Sequence, residues 1–164
     1  MRPLQRKVRG VSTTLAIMVG VVFVASPLSA QKTTLTVTGG TITFPAPTAA
    51  DYMAGFVNSA GGATFTVNSV NGLQRTTTVS IRSTSTDLGS GKLIGDLQWR
   101  RSDLATWNSV TLTDAQVEQR IVINKGLNDP WNNTIFFRMV LNWTTDAPAT
   151  YAANYQITLS QTVP

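Results

Sequence analysis

The 164-residue chain contains no cysteine and no histidine. The absence of cysteine excludes disulfide bonds, thiol nucleophiles and thiolate metal sites, so packing and sheet hydrogen bonds must stabilise the fold. The absence of histidine removes the Ser-His-Asp and Cys-His catalytic arrangements and the commonest ligands of zinc and copper. Any catalysis would have to rely on carboxylates, lysine or tyrosine.

Carboxylates are few and occur singly along the chain, at Asp51, Asp87, Asp96, Asp103, Asp114, Glu118, Asp129 and Asp146. A glycosidase needs two carboxylates that face each other at about 5–9 Å. Most of the eight instead lie beside Gly, Ser, Thr or Pro, where Asp bonds the local backbone of a turn. We therefore expect a protein that is not an enzyme, with no catalytic residues and no cofactor.

One polar cluster could offer oxygen ligands to calcium. Asn128, Asp129, Asn132 and Asn133 lie close together in the sequence. Their spacing fits no EF-type loop and they include a single carboxylate. The cluster favours a turn, and we expect no metal site.

The first thirty residues have the pattern of a secretory signal peptide. Four basic residues between positions 2 and 9 precede an apolar run over 15–25, and small residues follow over 26–30. The run is shorter than the ~20 residues that span a bilayer, which favours cleavage over an uncleaved anchor. We expect a signal peptide over 1–30, a mature chain from Gln31 without an integral membrane segment, and secretion to a periplasm, the cell surface or the medium.

Removal of this leader changes the electrostatic interpretation. Four of the thirteen basic residues lie within it, which leaves nine basic and eight acidic residues and a net charge of +1. The basic character of the whole chain therefore belongs to the leader, and it does not indicate nucleic-acid binding. Local basic spots at Arg100-Arg101, Arg120 and Lys125 are typical of solvated strand faces.

Residues 31–164 are long enough for one domain with its own core. Apolar residues alternate with polar ones almost throughout, β-branched residues are abundant, and turn signals recur every ten to fifteen residues. This pattern predicts a single all-β domain. Eight or so strands favour a two-sheet sandwich over a closed barrel.

Several elements follow from this alternation. We expect strands over 33–38, 41–44, 63–68, 75–82, 96–101, 119–124, 133–143 and 150–162, and a short helical turn over 49–56. The Asn71-Gly72 turn signal predicts a hairpin of the third and fourth strands. Residues expected to face the core are Trp99, Ile121, Ile123, Ile135, Phe137, Met139, Leu141, Trp143 and Tyr151. The strand over 133–143 should be central in its sheet.

The end of the chain carries a family resemblance. Asp-Ala-Pro-Ala-Thr-Tyr over 146–151, leading into an alternating strand, resembles the tyrosine corner of immunoglobulin-like domains, in which the hydroxyl bonds the backbone just upstream. Trp99 would match their buried tryptophan, and Ala153 stands where they carry their second cysteine. Residues 145–164 are similar to the ending of secreted bacterial domains of the spore-coat-U and fimbrial-subunit kind. The resemblance implies an immunoglobulin-like antiparallel sandwich of about 7–9 strands and a surface or appendage role.

The corner strand of an immunoglobulin-like domain is followed by one more strand, whereas this sequence ends at Pro164. Residues 33–38 could fill that place within their own sandwich, which is the simpler interpretation. Alternatively, they could be donated to a neighbouring copy and build a homo-oligomer.

Two functions are compatible with these features. The favoured one is an exported, non-catalytic structural or adhesive surface module whose partners are other protein chains or cell-surface polymers. The alternative is a secreted carbohydrate-binding module that stacks sugar rings on Trp107 and Trp131, since both lie beside turns. Ordinary packing of these two rings at the sandwich edge is the competing interpretation.

Overall fold

The computed structural model describes residues 33–38, 41–68, 74–122 and 130–163. The described residues form ten strands, one α-helix and one 3₁₀ helix: β1 (Thr34–Thr38), β2 (Thr41–Phe44), α1 (Ala49–Ala54), β3 (Phe56–Asn58), β4 (Ala63–Asn68), β5 (Arg75–Ser83), the 3₁₀ helix (Ile94–Asp96), β6 (Leu97–Arg101), β7 (Asn108–Ser109), β8 (Ala115–Val122), β9 (Trp131–Val140) and β10 (Tyr151–Thr162). The predicted leader, the cleavage site before Gln31 and the Asn71-Gly72 signal lie outside the described residues.

The strands form two antiparallel sheets. The first has the order β1-β4-β9-β6-β7, and β3 also pairs with β9. The second has the order β2-β10-β5-β8. The all-β, two-sheet prediction is confirmed. The strands that the sequence did not predict, β3 and β7, have three and two residues, too few for a period of two to be visible.

Strand β9 is central in the first sheet, as predicted. It pairs with β4, β6 and β3 along its length. Ile135, Phe137 and Met139 are buried, whereas Phe136 between them is exposed and Arg138 is half-buried. The expectation that Trp143 continues the inward stripe is wrong, because the strand ends at Val140 and Trp143 is 60 % exposed.

The core lies between the two sheets. The structure places the predicted core residues Trp99, Phe137 and Tyr151 there, with exposed fractions of 4 %, 2 % and 0 %. The ring of Phe137 from the first sheet lies 5.1 Å from that of Tyr155 in the second. The hydroxyl of Tyr151 donates a hydrogen bond to the carbonyl of Ala147, four residues upstream. This is the backbone bond that the corner motif led us to expect.

The expected hairpin of residues 63–68 and 75–82 is wrong. Strand β4 pairs with β1 and β9 in the first sheet, whereas β5 pairs with β10 and β8 in the second. The alternation of each strand specifies a buried face but not a neighbour. An Asn-Gly dipeptide indicates a turn. It does not indicate whether that turn joins two paired strands of one sheet or two strands of different sheets.

The expectation that Ile121 faces the core is also wrong, since it is 63 % exposed. A register shift in β8 is the cause: Val79 pairs with Glu118, but Ser80 pairs with Gln116. The extra residue, Val117, reverses which later residues point inward. Glu118 is therefore buried, with 6 % exposure. Ile123 lies outside the described residues.

The predicted helical turn is present as α1. Thr48 and Asp51 form a capping box, in which the Thr48 side chain accepts from the Asp51 N–H and the Asp51 carboxylate accepts from the Thr48 N–H. The Thr48 hydroxyl also donates to the Asp51 carboxylate at 2.7 Å, and this hydrogen bond, together with the one from the Thr48 N–H, lowers the pKa of Asp51. Gly55 ends the helix at φ 78°, a left-handed conformation that glycine adopts without strain.

Truncation of the central strand tests the assignment of its two faces. Phe137→Ala should lower the free energy of unfolding by about 3–5 kcal/mol, because it leaves a cavity in a core without disulfides. Phe136→Ala, its neighbour on the outer face, should cost about 1 kcal/mol or less. Denaturant unfolding measures both, and equal losses would contradict the inward and outward assignment.

Loss of the corner hydrogen bond is a second test. Tyr151→Phe keeps the ring and leaves the Ala147 carbonyl without its donor, so we expect a loss of about 1–2 kcal/mol in unfolding free energy. Tyr155→Phe is the matched control, because the Tyr155 hydroxyl has no hydrogen bond to the described residues. An unchanged unfolding midpoint for Tyr151→Phe would contradict the corner.

Candidate functional site

The second sheet has an edge that its own strands only partly cover. On one side, β10 pairs with β5 from Tyr155 to Thr162. On the other side, β2 pairs with β10 only from Tyr151 to Asn154. Among the described strands, none pairs with the remaining part of that side. We call residues 157–162 on this side the free edge of β10.

Hydrogen bonds near the start of β10 show which backbone groups face the free edge. The carbonyl of Asn154 accepts from the N–H of Thr84 at 3.0 Å, and the N–H of Ala152 donates to the carbonyl of Leu88 at 3.2 Å. Both partners lie on the β5 side. Backbone groups alternate sides along a strand, and the β10 register is continuous. The N–H and C=O groups of the odd-numbered residues Ile157, Leu159 and Gln161 therefore point to the free edge.

Apolar side chains accompany these backbone groups. Ile157 and Leu159 pack against the core yet remain partly exposed, as do Leu35 and Val37 of β1. A cavity of about 330 Å³ lies next to the start of the free edge, where Ile42, Phe137 and Tyr155 contribute to its lining. The edge thus combines unpaired backbone groups with an incompletely covered apolar surface, the combination to which an added strand binds.

The structure pairs β1 with β4 of the same chain. Five residue pairs join them, from Thr34 opposite Asn68 to Thr38 opposite Thr64. This agrees with the first of the two interpretations for residues 33–38, in which they pair within their own sandwich. Strand β1 is the edge of its sheet, and among the described strands only β4 pairs with it.

Trp131 does not have the exposed indole that the carbohydrate interpretation requires. It is the first residue of β9 and is 4 % exposed. Its ring meets that of Phe65 edge-on at 5.8 Å, and the guanidinium of Arg120 covers it at 4.7 Å. The preceding turn residues suggested exposure, but the strand begins immediately after Pro130. Trp131 is therefore a packing residue.

Trp107 is half-buried, and two guanidinium groups lie over its ring, Arg138 at 4.4 Å and Arg100 at 5.1 Å. The structure does not bring Trp107 and Trp131 together into one stacking face. The exposed indole of the described residues is that of Trp143, which stacks on Tyr52 at 4.6 Å. The alternating pattern over 133–143 predicted that Trp143 is buried. It is exposed because β9 ends at Val140, before the pattern reaches Trp143.

A buried cation organises the loop before β10. Lys92 is 4 % exposed, and its Nζ donates to the carboxylate of Asp146 and lies 3.0 Å from that of Asp96. Asp146 also accepts from the backbone N–H of Asn142 at 2.7 Å, and its carbonyl accepts from the hydroxyl of Tyr52 at 3.0 Å. Burial raises the pKa of Asp146, but the hydrogen bonds from Lys92 and Asn142 outweigh it, so the net shift is downward.

A second group of carboxylates surrounds Arg101. Its guanidinium donates to Asp103 and lies 3.7 Å from Glu118, which also accepts from Arg120 at 2.7 Å. The hydrogen bond from Arg101, with smaller help from Asn133, lowers the pKa of Asp103 to about 2. Asp103 is therefore ionised at neutral pH and cannot donate a proton as a general acid. This network holds the ends of β6, β8 and β9 together.

No cluster that could hold a metal ion occurs among the described residues. Asn133 is occupied by hydrogen bonds to Ser102, Asp103 and Glu118. Asn128 and Asp129 lie outside the described residues. Over the same described ranges, no helix has the length and apolar character needed to cross a bilayer.

Comparison with known proteins gave no match: no family model, no curated protein and no solved structure is significantly similar to this chain.

The Asp146–Lys92 pair predicts how stability depends on pH. Because the folded pKa of Asp146 is lowered, its contribution is present above the unfolded value of about 3.9 and is lost as pH falls through the folded value. Asp146→Asn should lower the free energy of unfolding by about 3 kcal/mol near neutral pH. This is the lower end of the loss expected when a buried ion pair is broken, because Asp96 still neutralises Lys92. The gap between the variant and the parent should narrow as the pH falls below the unfolded value.

The control for this prediction is Asp114→Asn. Asp114 pairs with Arg82 at 3.8 Å on the surface, where both side chains are more than two-fifths exposed. Such a pair is worth less than about 1 kcal/mol. Thermal unfolding followed across the pH range gives both comparisons, and a stability gap for Asp146→Asn that stays constant with pH would show that the ion pair is not its cause.

Proposed function

We propose that this chain is an exported, non-catalytic structural module of a bacterial surface or appendage, and that copies join by donating a strand to the free edge of β10. The observation that carries this proposal is the unpaired side of Ile157, Leu159 and Gln161. An uncovered sheet edge of this kind recruits further strands unless it is blocked. No charge, proline or bulge interrupts it over these residues.

The chemistry of the chain supports a role without catalysis. The sequence offers neither imidazole nor thiol. The carboxylates of Asp96, Asp146, Asp103 and Glu118 lie within 4 Å of cationic groups and stabilise the fold. A surface role also fits the leader pattern over residues 1–30, which directs the chain out of the cytoplasm.

We further propose that the sandwich is of the immunoglobulin-like kind and related to spore-coat-U and fimbrial-subunit domains. The hydrogen bond from Tyr151 to Ala147 supports this. Trp99 does not, because β6 lies in the first sheet and β10 in the second, whereas the buried tryptophan and the corner tyrosine of immunoglobulin-like domains belong to strands of one sheet. Domains of this kind carry one more strand after the corner strand, and the free edge of β10 is the place where such a strand would lie.

The donor in this proposal is the segment from Gln31 to Thr38 of a second copy. Its alternating Leu35 and Val37 would cover the apolar side chains along the free edge. Donation requires β1 to leave its five pairs with β4, and the pairs gained along β10 offset that loss. Because the two ladders are of similar length, we expect assembly to depend on protein concentration.

Proline substitution in β10 tests whether the free edge is the joint. Gln161→Pro removes an N–H that points to the free edge, so it should abolish assemblies while costing about 1 kcal/mol or less of stability. Ser160→Pro, its matched control, removes an N–H that faces β5 and should destabilise the monomer by more than about 1 kcal/mol. Sedimentation velocity over a range of concentrations and thermal unfolding separate the two effects.

Deletion of the donor identifies the joining segment. Removal of residues 31–38 should abolish assembly, and a synthetic peptide of those residues should bind to the truncated protein. A parent protein that remains one small species at every concentration would overturn the proposal. Assembly that survives both the deletion and Gln161→Pro would overturn it as well.

A further inference from the structure

Two arginines lie on the outer face of the first sheet without a carboxylate partner. Arg100 of β6 pairs across the ladder with Phe136 of β9, two residues before Arg138, so the two arginines are diagonal neighbours. Among the described residues, no carboxylate lies within 4 Å of either guanidinium. By contrast, a carboxylate lies within that distance of four other cationic side chains: Arg82, Lys92, Arg101 and Arg120.

Aromatic rings hold both guanidinium groups in place. Arg138 lies 4.4 Å from the ring centre of Trp107 and 5.1 Å from that of Phe56. Arg100 lies 5.1 Å from the rings of both Trp107 and Phe136. Two cations thus share one indole, and their mutual repulsion is opposed by the rings but neutralised by no anion of the described residues.

Hydrogen bonds fix the orientation of the two groups and leave donors unused. Arg138 donates through Nε to the side-chain oxygen of Gln98 at 2.7 Å. Arg100 donates through Nη1 to the carbonyls of Leu104 at 2.9 Å and Arg101 at 3.5 Å. The N–H groups on Nε and Nη2 of Arg100 and on Nη1 and Nη2 of Arg138 have no acceptor among the described residues. A guanidinium fixed in this way loses little further freedom when an anion binds.

The two forks face a cleft. A depression of about 410 Å³ is lined by Phe56, Asn58, Arg100, Ala105, Trp107 and Arg138. A second depression of about 210 Å³ shares Asn58, Arg100 and Trp107 with it. Asn58 is exposed, and its side-chain amide has no partner among the described residues, so it can bond a hydroxyl group.

The geometry points to a binding site for a carboxylated sugar unit of an acidic polysaccharide, in which Arg100 and Arg138 bind the carboxylate and Asn58 bonds the hydroxyl groups. A planar carboxylate matches the guanidinium fork and neutralises both charges. A peptide strand is less suited, because the cleft lies on the face of the sheet, whereas the backbone N–H and C=O groups that pair with an added strand point within the sheet toward neighbouring strands. The site is separate from the free edge of β10 and does not rest on strand donation.

Oligogalacturonate and its methyl ester are the matched probes, since they differ only in the methylation of the carboxylate, which removes its charge. Calorimetric titration of the purified protein should show binding of the acid, with an affinity at least ~10-fold above that of the ester, because hydrogen bonds to charged groups are lost in the ester. The double variant Arg100→Gln with Arg138→Gln should lose at least ~10-fold in affinity for the acid. Arg82→Gln carries a charge change of the same kind on the other sheet and should bind as the parent does.

Further measurements test the proposal even if the double variant does not fold. Arg138→Lys keeps the charge but loses the fork, and it should also bind the acid more weakly than the parent. Equal affinity for acid and ester, no binding of the acid at millimolar concentration, or equal losses in Arg82→Gln and the double variant would each overturn the proposal. Tighter binding of polyglutamate than of oligogalacturonate would overturn it in favour of an acidic peptide, and tighter binding of dextran sulfate would show that charge alone is recognised.

Discussion

The two-residue period of strand β9 is the constraint on which the rest of the structure depends. With no disulfide available, Ile135, Phe137 and Met139 must be buried together, and this fixes which way every other residue of the strand points. Phe136 and Arg138 consequently lie outside, beside residues of β6 and β3 that obey the same rule. The core and the arginine cleft are two faces of one strand, so a slip of one residue would exchange them.

The second sheet shows how unevenly the edges of the fold are protected. The early part of β10 is covered by β2, and its N–H and C=O groups there are paired. Farther along, Ile157 and Leu159 keep apolar side chains against the core while their backbone groups point away from the edge of the sheet. An edge of this kind limits solubility unless it is covered. In the proposed role, the strand of a neighbouring copy covers it.

Alternation made β9 and β10 predictable because both strands are long, and it placed Phe137 and Tyr151 in the core for the same reason. It could not assign neighbours, so β4 and β5 were expected in one hairpin although they belong to different sheets. The bulge at Val117 leaves no mark in the sequence, and this single extra residue turns Ile121 outward, against the expectation, and buries Glu118. The diagonal approach of Arg100 and Arg138 depends on register between strands 38 residues apart in number, which no local pattern contains.

Residue-resolved amide hydrogen exchange tests the central claim most directly, because it reports on each N–H of β10 separately. In dilute protein, the amides of Ile157, Leu159 and Gln161 should exchange quickly, whereas those of the alternate residues Thr158 and Ser160, bonded to β5, should be protected. In concentrated protein the three odd-numbered amides should become protected as a neighbour's strand joins the free edge. Equal protection of odd and even amides in the dilute monomer, or no change on concentration, would contradict the account.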